Sequence, residues 1–211
     1  MRVRVFIADD HALVRKGLRQ LFGENEDIEV VGEASDYSGL AEGARKGAFD
    51  VLVLDISMPG RNGIDALKQL LKEDPKIKAL VLSMFPEDQF ALRALKAGAK
   101  GYLTKTSAPD SLIRAVREIA AGRKFLTAEV ALALAESVAS GPGGPRHSQL
   151  SDREFQTLKL IAAGRKLSEI AAEMALSAKT VSVYRARLLE KLQLRTNAEL
   201  TRYALENGLV Q

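Results

Sequence analysis

Short apolar runs alternate with longer segments of helical spacing throughout residues 1–122. Each run is rich in β-branched residues and too short for a helix, so the pattern predicts buried strands, each followed by a helix. A repeated strand–helix order gives a parallel sheet with helices on both faces. The expected fold is therefore α/β, a doubly wound five-stranded parallel sheet. The predicted strands are Val3–Ala8, Ile28–Glu33, Val51–Asp55, Ala79–Ser83 and Gly101–Leu103, and the helices begin near His11, Tyr37, Gly63, Glu87 and Pro109.

Polar residues stand where several of these strands end. The acid pair Asp9 and Asp10 follows the first strand, and Asp55 closes an unbroken apolar run. Ser83 and Lys105 lie at the ends of the last two strands. Open α/β sheets bind ligands and do chemistry at the carboxyl ends of their strands. These residues predict one site, in which Asp55 is a phosphorylatable carboxylate and Ser83 and Lys105 hold the phosphoryl oxygens.

An acyl phosphate forms on a carboxylate only when the repulsion between that carboxylate and the donor phosphate is neutralised. A divalent cation does this, and Mg²⁺ prefers an octahedral shell of oxygens that includes several waters. The predicted protein ligands are Asp9 or Asp10, Asp55 and a backbone carbonyl, taken as that of Ser57. Phosphoryl transfer mostly requires positioning and charge compensation, so this set needs no dedicated acid or base.

Each of these residues alone could also have an ordinary structural role. Asp9 or Asp10 would cap the helix that starts near His11, and His11 itself is interpreted as a helix-start residue. Asp55 would be a turn aspartate before Pro59–Gly60, and Lys105 would be a solvated loop charge. The joint spacing favours the shared site over these separate roles.

The composition narrows the kind of metal and the expected location. The chain has no cysteine and two histidines, which excludes thiolate sites and argues against an imidazole cluster. Any metal should therefore be hard and oxygen-ligated. No apolar stretch approaches the roughly 18 residues of a membrane span, and the first apolar run is too short for a signal-peptide core. A cytoplasmic protein without a membrane partner is expected.

The net charge of +4 comes entirely from the last third of the chain. Lys and Arg against Asp and Glu number 18 to 18 in residues 1–122, 2 to 2 in residues 123–145, and 11 to 7 in residues 146–211. A helix candidate, Ala128–Val138, precedes a glycine- and proline-rich stretch at 140–145 that interrupts regular structure. The expected domains are 1–122, a linker at 123–147 that contains this helix, and a basic domain at 148–211 suited to a polyanion.

Helical spacing continues from Leu150 onward and predicts four short helices. The second covers Leu167–Ala175 and the third runs to about Leu192, which together make a helix–turn–helix. Cap signals stand at Ser151, Ser177 and Thr196, and stop signals at Gly164 and Gly208.

The third of these helices has two faces. Four residues are predicted to point toward a core: Val181, Leu188, Leu189 and Leu192. The other face is basic or hydroxyl-bearing: Lys179, Ser182, Tyr184, Arg185, Arg187 and Lys191. Such a face suits the major groove of DNA. The alternative for the basic face is a solvated surface, and for Thr180 and Val181 packing competes with contact.

The first 122 residues resemble the receiver domain of two-component response regulators. The matching motifs are Asp9-Asp10, Leu54-Asp55-Ile56-Ser57-Met58-Pro59-Gly60, Ser83 and Gly101-Tyr102-Leu103-Thr104-Lys105. The resemblance implies that Asp55 accepts phosphate from a cognate histidine kinase and that Ser83 and Tyr102 move together to report it. One departure is Thr106, where many receivers have a proline after a cis peptide bond. A cis bond before a non-proline residue costs roughly 2.5–4 kcal/mol, so the geometry of this loop stays open.

The C-terminal region is similar to the LuxR-type helix–turn–helix domain, and a receiver joined to it is the arrangement of NarL/FixJ-type response regulators. The resemblance places Lys179–Lys191 on the recognition helix, with Arg185, Arg187 and Lys191 as the leading phosphate or base contacts. The full set of implied DNA contacts is Lys179, Thr180, Ser182, Val183, Tyr184, Arg185, Arg187 and Lys191. Many members have Lys and His where this chain has Ser182 and Tyr184, so base preference cannot be copied from them.

Phosphorylation of Asp55 is expected to shift the receiver between two arrangements and so to control promoter binding. One module with a few cationic side chains binds weakly at physiological salt, so two modules on paired half-sites are expected. The expected partners are double-stranded DNA, a histidine kinase and a second copy of the chain in a homodimer on DNA, with RNA polymerase as a further candidate. The candidate dimer surfaces are Asn197–Asn207 and the receiver face near Lys96–Arg117.

Three other functions compete with this one. An aspartyl-phosphate hydrolase also has an aspartate after an apolar strand, but it needs a second acid two residues on, where this chain has Ser57. A nucleotide-binding oxidoreductase needs a glycine-rich loop after the first strand, where this chain has Asp9 and Asp10. The third is a transcription factor whose receiver is controlled independently of phosphorylation. The complete acid, hydroxyl and lysine set favours a phosphorylated regulator that is not an enzyme.

Overall fold

The computed structural model describes residues 2–47, 49–58, 63–85, 87–139, 145–174 and 176–210. The chain divides into two compact units, Met1–Glu136 and Ser137–Gln211. The boundaries predicted from the sequence, at 122/123 and 147/148, stay predictions. The predicted turn at Pro59–Gly60, most of the stretch 140–145 and Ala175 lie outside the described residues. Within those residues no helix is both long and apolar enough to cross a membrane.

The first unit contains a parallel sheet with the strand order β2-β1-β3-β4-β5. This confirms the predicted doubly wound α/β fold. Its strands are β1 Val3–Ala8, β2 Ile28–Ala34, β3 Val51–Leu54, β4 Ala79–Ser83 and β5 Gly101–Thr104. Its helices are α1 Ala12–Gly23, α2 Tyr37–Lys46, α3 Gly63–Glu73, α4 Glu87–Lys96 and α5 Pro109–Ala120, and α6 Ala128–Ala139 follows.

The central strands read as continuous apolar runs because helices cover both faces of the sheet. All four residues of Val51–Leu54 are at most 1% exposed. One face packs against α1 and α5, where Phe22, Val116 and Ile119 are fully buried. Because β3 has no polar residue, the first polar side chain can appear only where the strand ends. That residue is Asp55.

The strand order reverses between β1 and β3, which lie side by side although β2 separates them in the chain. Such a reversal opens a crevice beyond the carboxyl ends of the two strands. Asp9 follows β1 and Asp55 follows β3, and the Asp55 N–H donates to the Ala8 carbonyl at 2.8 Å. The topology therefore brings the two acids to the same crevice.

The N-terminus of α3 lies against this crevice at Gly63. The Gly63 N–H donates to the Ile56 carbonyl at 3.1 Å. A Cβ atom at this position would lie 2.4 Å from the backbone oxygen of Asp55 and 2.5 Å from the Cα of Ile56. Backbone atoms cannot yield as a side chain can, so α3 reaches the acid-bearing loop because residue 63 has no side chain.

The second unit is helical: a short 3₁₀ helix, Arg146–Gln149, precedes α7 Asp152–Ala162, α8 Leu167–Glu173, α9 Ala178–Leu192 and α10 Asn197–Glu206. The predicted caps are confirmed, because the side chains of Ser151, Ser177 and Thr196 each accept a backbone N–H in the first turn of the helix that follows. The predicted stops are also confirmed, since Gly164 and Gly208 have φ of 78° and 65°. Its core residues include Phe155, Leu158, Ile170, Val181, Leu188, Leu192 and Leu200.

Candidate functional site

Asp55 is 1% exposed and both of its carboxylate oxygens are engaged. Oδ1 accepts the backbone N–H of Ser57 at 3.0 Å, and Oδ2 accepts the ammonium of Lys105 at 2.7 Å. The N–H of Ser57 fixes the side-chain rotamer, whereas Lys105 supplies charge. The structure thus places a buried carboxylate, oriented by its own loop, at the sheet edge where the sequence predicted it.

Lys105 bridges the two buried acids of the crevice. Its Nζ lies 2.6 Å from Asp9 Oδ2 and 2.7 Å from Asp55 Oδ2, and its side chain is 7% exposed. The Lys105 N–H donates to the Ser83 carbonyl at 2.7 Å, which continues the ladder between β4 and β5. The lysine is therefore positioned by the sheet itself.

One ammonium shared by two carboxylates leaves the site short of positive charge. Burial raises the pKa of Asp55, and the charge of Asp9 adds to the rise. Lys105 and the Ser57 N–H oppose this rise without cancelling it. Burial alone would lower the pKa of Lys105, but Asp55 and Asp9 raise it, so this side chain stays an ammonium.

A third acid and a histidine complete the cluster. Ligand atoms of Asp9, Asp10, His11 and Asp55 all lie within 4.8 Å of one another. Asp10 Oδ1 is buried and accepts no hydrogen bond, although His11 Nδ1 lies 2.8 Å away and would pair with it if protonated. Asp9 Oδ1 accepts the His11 backbone N–H at 2.8 Å. His11 is the N-cap residue of α1, and its own side chain accepts no hydrogen bond from the first turn of that helix. Three carboxylates this close together, with one ammonium between two of them, suit a hard cation.

The predicted switch residues meet at Phe85. Ser83 is fully buried, and its Oγ accepts the Phe85 N–H at 3.1 Å. Tyr102 is 1% exposed, and its hydroxyl donates to the Phe85 carbonyl at 2.8 Å. The ring of Phe85 stacks on Phe90 of α4, with centroids 4.5 Å apart. The serine and the tyrosine thus hold Phe85 through its backbone N–H and its carbonyl.

The loop after Lys105 is held by hydroxyl groups. Thr104 Oγ1 lies 3.0 Å from Thr106 Oγ1 and 2.9 Å from Ser107 Oγ. Among the described residues no peptide bond is cis, so the Lys105–Thr106 bond is trans. The threonine that departs from the receiver pattern is accommodated without an unusual peptide bond.

The outer face of α9 has the exposure expected of a recognition helix at several positions. Lys179, Ser182, Val183 and Arg187 are exposed, whereas Thr180, Tyr184 and Arg185 are half-buried. Val181 is fully buried, which assigns it to packing, as are Leu188 and Leu192. Leu189, predicted to be in the core, is only half-buried. Thr180 lies in the capped first turn, where its N–H donates to Ser177 Oγ at 3.1 Å.

Two of the predicted DNA-contact cations already have partners in the fold. The ammonium of Lys191 donates to Glu154 Oε2 at 2.7 Å, and Glu154 is 2% exposed. Burial alone would raise the pKa of Glu154, but hydrogen bonds from Lys191 and Ser151 outweigh it and lower the pKa. Lys191 is thus held toward the start of α7. Arg185 Nε donates to Asn197 Oδ1 at 2.6 Å.

Two of these contacts do not follow from the sequence pattern. The pattern predicts only a helix-start role for His11, yet its ring lies in the acid cluster; the signal is its place directly after two aspartates. The Glu154–Lys191 pair joins positions 37 residues apart. Glu154 is the third helical residue after Ser151, a position recognisable as a capping box, but nothing in the sequence gives its lysine partner.

Two family descriptions match this chain, one in each unit. Response regulator receiver domains match residues 5–117, which is more than half of the chain. Bacterial regulatory proteins of the luxR family match residues 148–204. The first match contains the acid cluster, Ser83, Tyr102 and Lys105, and the second contains α7 to α9 and most of α10.

Curated relatives align over nearly the whole chain. The response regulator UvrY of Escherichia coli is 34% identical over 209 residues, which cover 98% of this chain and 95% of UvrY. The response regulator GacA of Pseudomonas aeruginosa is 35% identical over 209 residues, which cover 99% of this chain and 98% of GacA. Both matches include the two units in the same order.

A solved structure shows the same combination. RcsB from Salmonella enterica serovar Typhimurium, bound to promoter rprA in the presence of phosphomimetic BeF3−, has a TM-score of 0.66 and 29% identity, covering 96% of this chain and 98% of RcsB. The predicted NarL/FixJ-type membership is confirmed, and the relatives are regulators rather than enzymes. The chain belongs to the two-component response regulators that join a receiver domain to a luxR-family DNA-binding domain and regulate transcription.

Proposed function

We propose that this chain acts in the cytoplasm, where Asp55 accepts a phosphoryl group from a histidine kinase and this modification controls pairing and promoter binding by the second unit. The observation that carries the proposal is the bridge made by Lys105 between two buried acids, Asp9 and Asp55. A buried carboxylate that is short of positive charge, at the switch point of the sheet, is suited to accept a phosphoryl group when a divalent cation compensates the negative charges.

The transfer step needs few protein groups. An oxygen of Asp55 attacks phosphorus, an O–P bond forms, and the N–P bond of the phosphohistidine breaks. The leaving imidazole nitrogen keeps the bonding electron pair and takes up a proton. Lys105 remains beside the phosphoryl oxygens as their counter-charge, and the hydroxyl of Ser83 can donate to one of them. Charge compensation of this kind supplies most of the catalysis in phosphoryl transfer.

The acid cluster suits Mg²⁺. When Asp9, Asp10 and Asp55 are all ionised, three negative charges meet the single positive charge of Lys105, and the remaining two match a divalent ion. When bound, the ion neutralises repulsion between Asp55 and the donor phosphate. The three carboxylates would hold it, together with the backbone carbonyl of Ser57.

The second unit supplies the DNA contacts. On α9 we assign Lys179, Ser182, Val183, Tyr184, Arg185 and Arg187 to the DNA face, with Thr180 near the helix cap. Lys191 is part of the fold through Glu154, so we remove it from the leading contacts. The RcsB structure holds promoter DNA, and another contains two RcsB dimers bound to two parallel DNAs. By likeness, this chain acts as a homodimer on double-stranded promoter DNA, where RNA polymerase is a further candidate partner.

The first test is phosphate incorporation from a small acyl-phosphate donor with Mg²⁺, followed by intact mass and by oligomer size together. The wild type should gain one phosphoryl group and change its association. Asp55→Asn should gain none, because an amide oxygen is too weak a nucleophile. The matched control is Asp36→Asn, since Asp36 caps α2 through the Gly39 N–H and asparagine caps equally well. Chelating the metal should remove the labelling.

Three outcomes are distinguishable. Labelling that requires Asp55 and Mg²⁺ supports a phosphorylation-controlled regulator. Labelling that persists in Asp55→Asn would place the acceptor elsewhere. Absence of labelling, with DNA binding intact, would favour a receiver that is controlled independently of phosphorylation.

A further inference from the structure

Residues just before α6 are joined to the sheet of the first unit, although the sequence predicts a linker there. The Phe125 N–H donates to the Lys100 carbonyl at 2.9 Å, and Phe125 forms a parallel bridge with Gly101 at the start of β5. The Phe125 ring is 5% exposed, and the Arg114 guanidinium lies 5.2 Å from its centroid. A Cβ atom on Gly101 would lie 2.9 Å from the Phe125 carbonyl oxygen. The segment that leads to α6 is therefore packed tightly beside β5.

A second contact joins the start of α6 to the start of α4. Thr127 Oγ1 donates a hydrogen bond to Glu87 Oε2 and accepts the Val130 N–H at 3.3 Å. Glu87 is 9% exposed, and Val130 is 1% exposed. Burial raises the pKa of Glu87, and the bond from Thr127 opposes the rise. The threonine hydroxyl thus serves two elements at once, because it caps α6 and compensates a buried carboxyl group on α4.

Both contacts lie next to the switch pair. Glu87 is two residues after Phe85, whose backbone is held by Ser83 and Tyr102. Gly101, the bridge partner of Phe125, directly precedes Tyr102. A displacement of Phe85 would therefore move the start of α4 relative to β5, and the segment from Phe125, on β5, to Thr127, on Glu87 of α4, contacts both elements.

We propose that the Glu87–Thr127 hydrogen bond is the contact through which the phosphorylation state of Asp55 reaches α6, and that its release favours the phosphorylated arrangement. This rests on the function proposed above. The Ser83 hydroxyl now accepts from Phe85; when it turns to a phosphoryl group on Asp55, Phe85 and the following Glu87 shift. Phe125 stays on β5, so the bond to Thr127 is the one that breaks.

The consequence reaches the second unit along the chain. α6 runs from Ala128 to Ala139, and the division between the units falls within it, after Glu136. A helix whose first turn is held by a side-chain hydrogen bond frays less at that end than a helix whose first turn lacks the bond. Thr127 is thus a positioning residue, which acts on DNA binding through α6.

The test compares hydrogen exchange of the α6 amides, residues 128–135, in full-length protein with Mg²⁺, with and without an acyl-phosphate donor. Thr127→Val and Glu87→Leu each remove the bond. They differ in a useful way, because the valine also removes the α6 cap whereas Glu87→Leu leaves Thr127 free to cap. Glu87→Gln is the matched control, since its amide oxygen can still accept from Thr127.

In the wild type, the donor should speed exchange in the first turns of α6 by up to about tenfold, the size expected for loss of one buried hydrogen bond. Glu87→Leu should show the fast rate already without the donor, and the donor should then add little. Glu87→Gln should behave as the wild type. The double variant Glu87→Leu/Thr127→Val should be no faster than Thr127→Val alone, because both substitutions remove the same bond.

The mass of the same samples reports phosphorylation independently. If the wild type is labelled but Glu87→Leu keeps both the slow exchange and the full response to the donor, the proposed link is wrong and the phosphorylation site stands. If the wild type takes no phosphoryl group, the function proposed for Asp55 fails first, and the link fails with it.

Discussion

Two buried carboxylates in this chain have similar neighbours and opposite pKa shifts. Asp55 is 1% exposed and accepts a lysine ammonium at 2.7 Å; Glu154 is 2% exposed and also accepts one at 2.7 Å. Burial raises the pKa of Asp55 despite its lysine. Burial would also raise the pKa of Glu154, but there the hydrogen bonds prevail and the pKa is lowered.

The difference lies in how each lysine is shared. Lys105 is divided between Asp55 and Asp9, so each acid receives part of one positive charge. Lys191 pairs with Glu154, and the Ser151 N–H adds a second bond to the same oxygen at 2.7 Å. The first site is left short of positive charge, whereas the carboxylate of the second site has a full ammonium beside it. The two buried acid–lysine pairs of this chain thus differ in how many acids share the lysine, and we expect that difference to separate the proposed phosphoacceptor from a structural contact.

The largest effect is expected from Lys105→Met, which removes the ammonium that contacts both buried acids. We expect phosphate incorporation at Asp55 to fall by about 100-fold or more, the usual cost of removing one donor from a developing charge. The initial rate of labelling from an acyl-phosphate donor, at saturating Mg²⁺, measures this.

Lys105→Arg is the matched control for that loss. It keeps the positive charge but replaces a compact ammonium with a planar fork, so the rate should be partly restored. Equal labelling rates in Lys105→Met and the wild type would show that Lys105, like Lys191, has only a structural role. The proposed difference between a shared and an unshared lysine would then be wrong.

A smaller effect is expected from Lys191→Met, because Ser151 still serves Glu154 and the lysine side chain is 38% exposed. The second unit should lose about 1–2 kcal/mol of its free energy of unfolding, as a buried acceptor loses its charged donor. Hydrogen exchange of the core amides in α7 and α9 of the full-length protein measures this. Glu154→Gln in the same background should recover part of the loss, since it removes the uncompensated charge.

The same variant tests whether Lys191 contacts DNA. Binding to double-stranded DNA of random sequence should keep the salt dependence of the wild type in Lys191→Met. Arg187→Ala, which removes an exposed cation from the same helix, should instead reduce the slope of log affinity against log salt by about 1. A reduced slope in Lys191→Met would return Lys191 to the DNA face.

The sequence predicted the acid site closely because the features that build it are local. Each apolar run ends at a polar residue, and the parallel topology brings those ends to one edge. Asp9, Asp55, Ser83 and Lys105 could therefore be grouped from the sequence alone. The burial of the strands made this possible, since a fully apolar strand leaves the first polar residue after it at the edge of the sheet.

The sequence missed contacts that depend on packing between distant segments. Lys191 was predicted as a DNA contact because it lies on the basic face of α9, and that contact stays a prediction. The sequence did not show that the packing of α7 against α9 pairs Lys191 with Glu154. Thr127 was placed in a predicted linker for a similar reason. No local sequence pattern predicts that the residue capping α6 contacts Glu87 on α4. Helical periodicity predicts on which face of a helix a side chain lies, but it does not predict which residue of another helix that side chain contacts.

The smallest effect concerns pH and follows from the lowered pKa of Glu154. An unfolded chain has a glutamate pKa of about 4.3 and binds the proton first as the pH falls, so the stability conferred by the ionised carboxylate is present above that value and is lost as the pH falls through the lower folded value. Glu154→Gln keeps an oxygen for the Ser151 N–H but has no charge. The stability gap between wild type and Glu154→Gln, from exchange of the α7 amides, should therefore narrow as the pH falls below about 4.3. In the Lys191→Met background, the stability difference between Glu154 and its Gln variant should change less with pH, because the ammonium of Lys191 favours the ionised carboxylate. A gap that widens on acidification would mean that burial prevails at Glu154 as it does at Asp55, and the contrast between the two acids would be wrong.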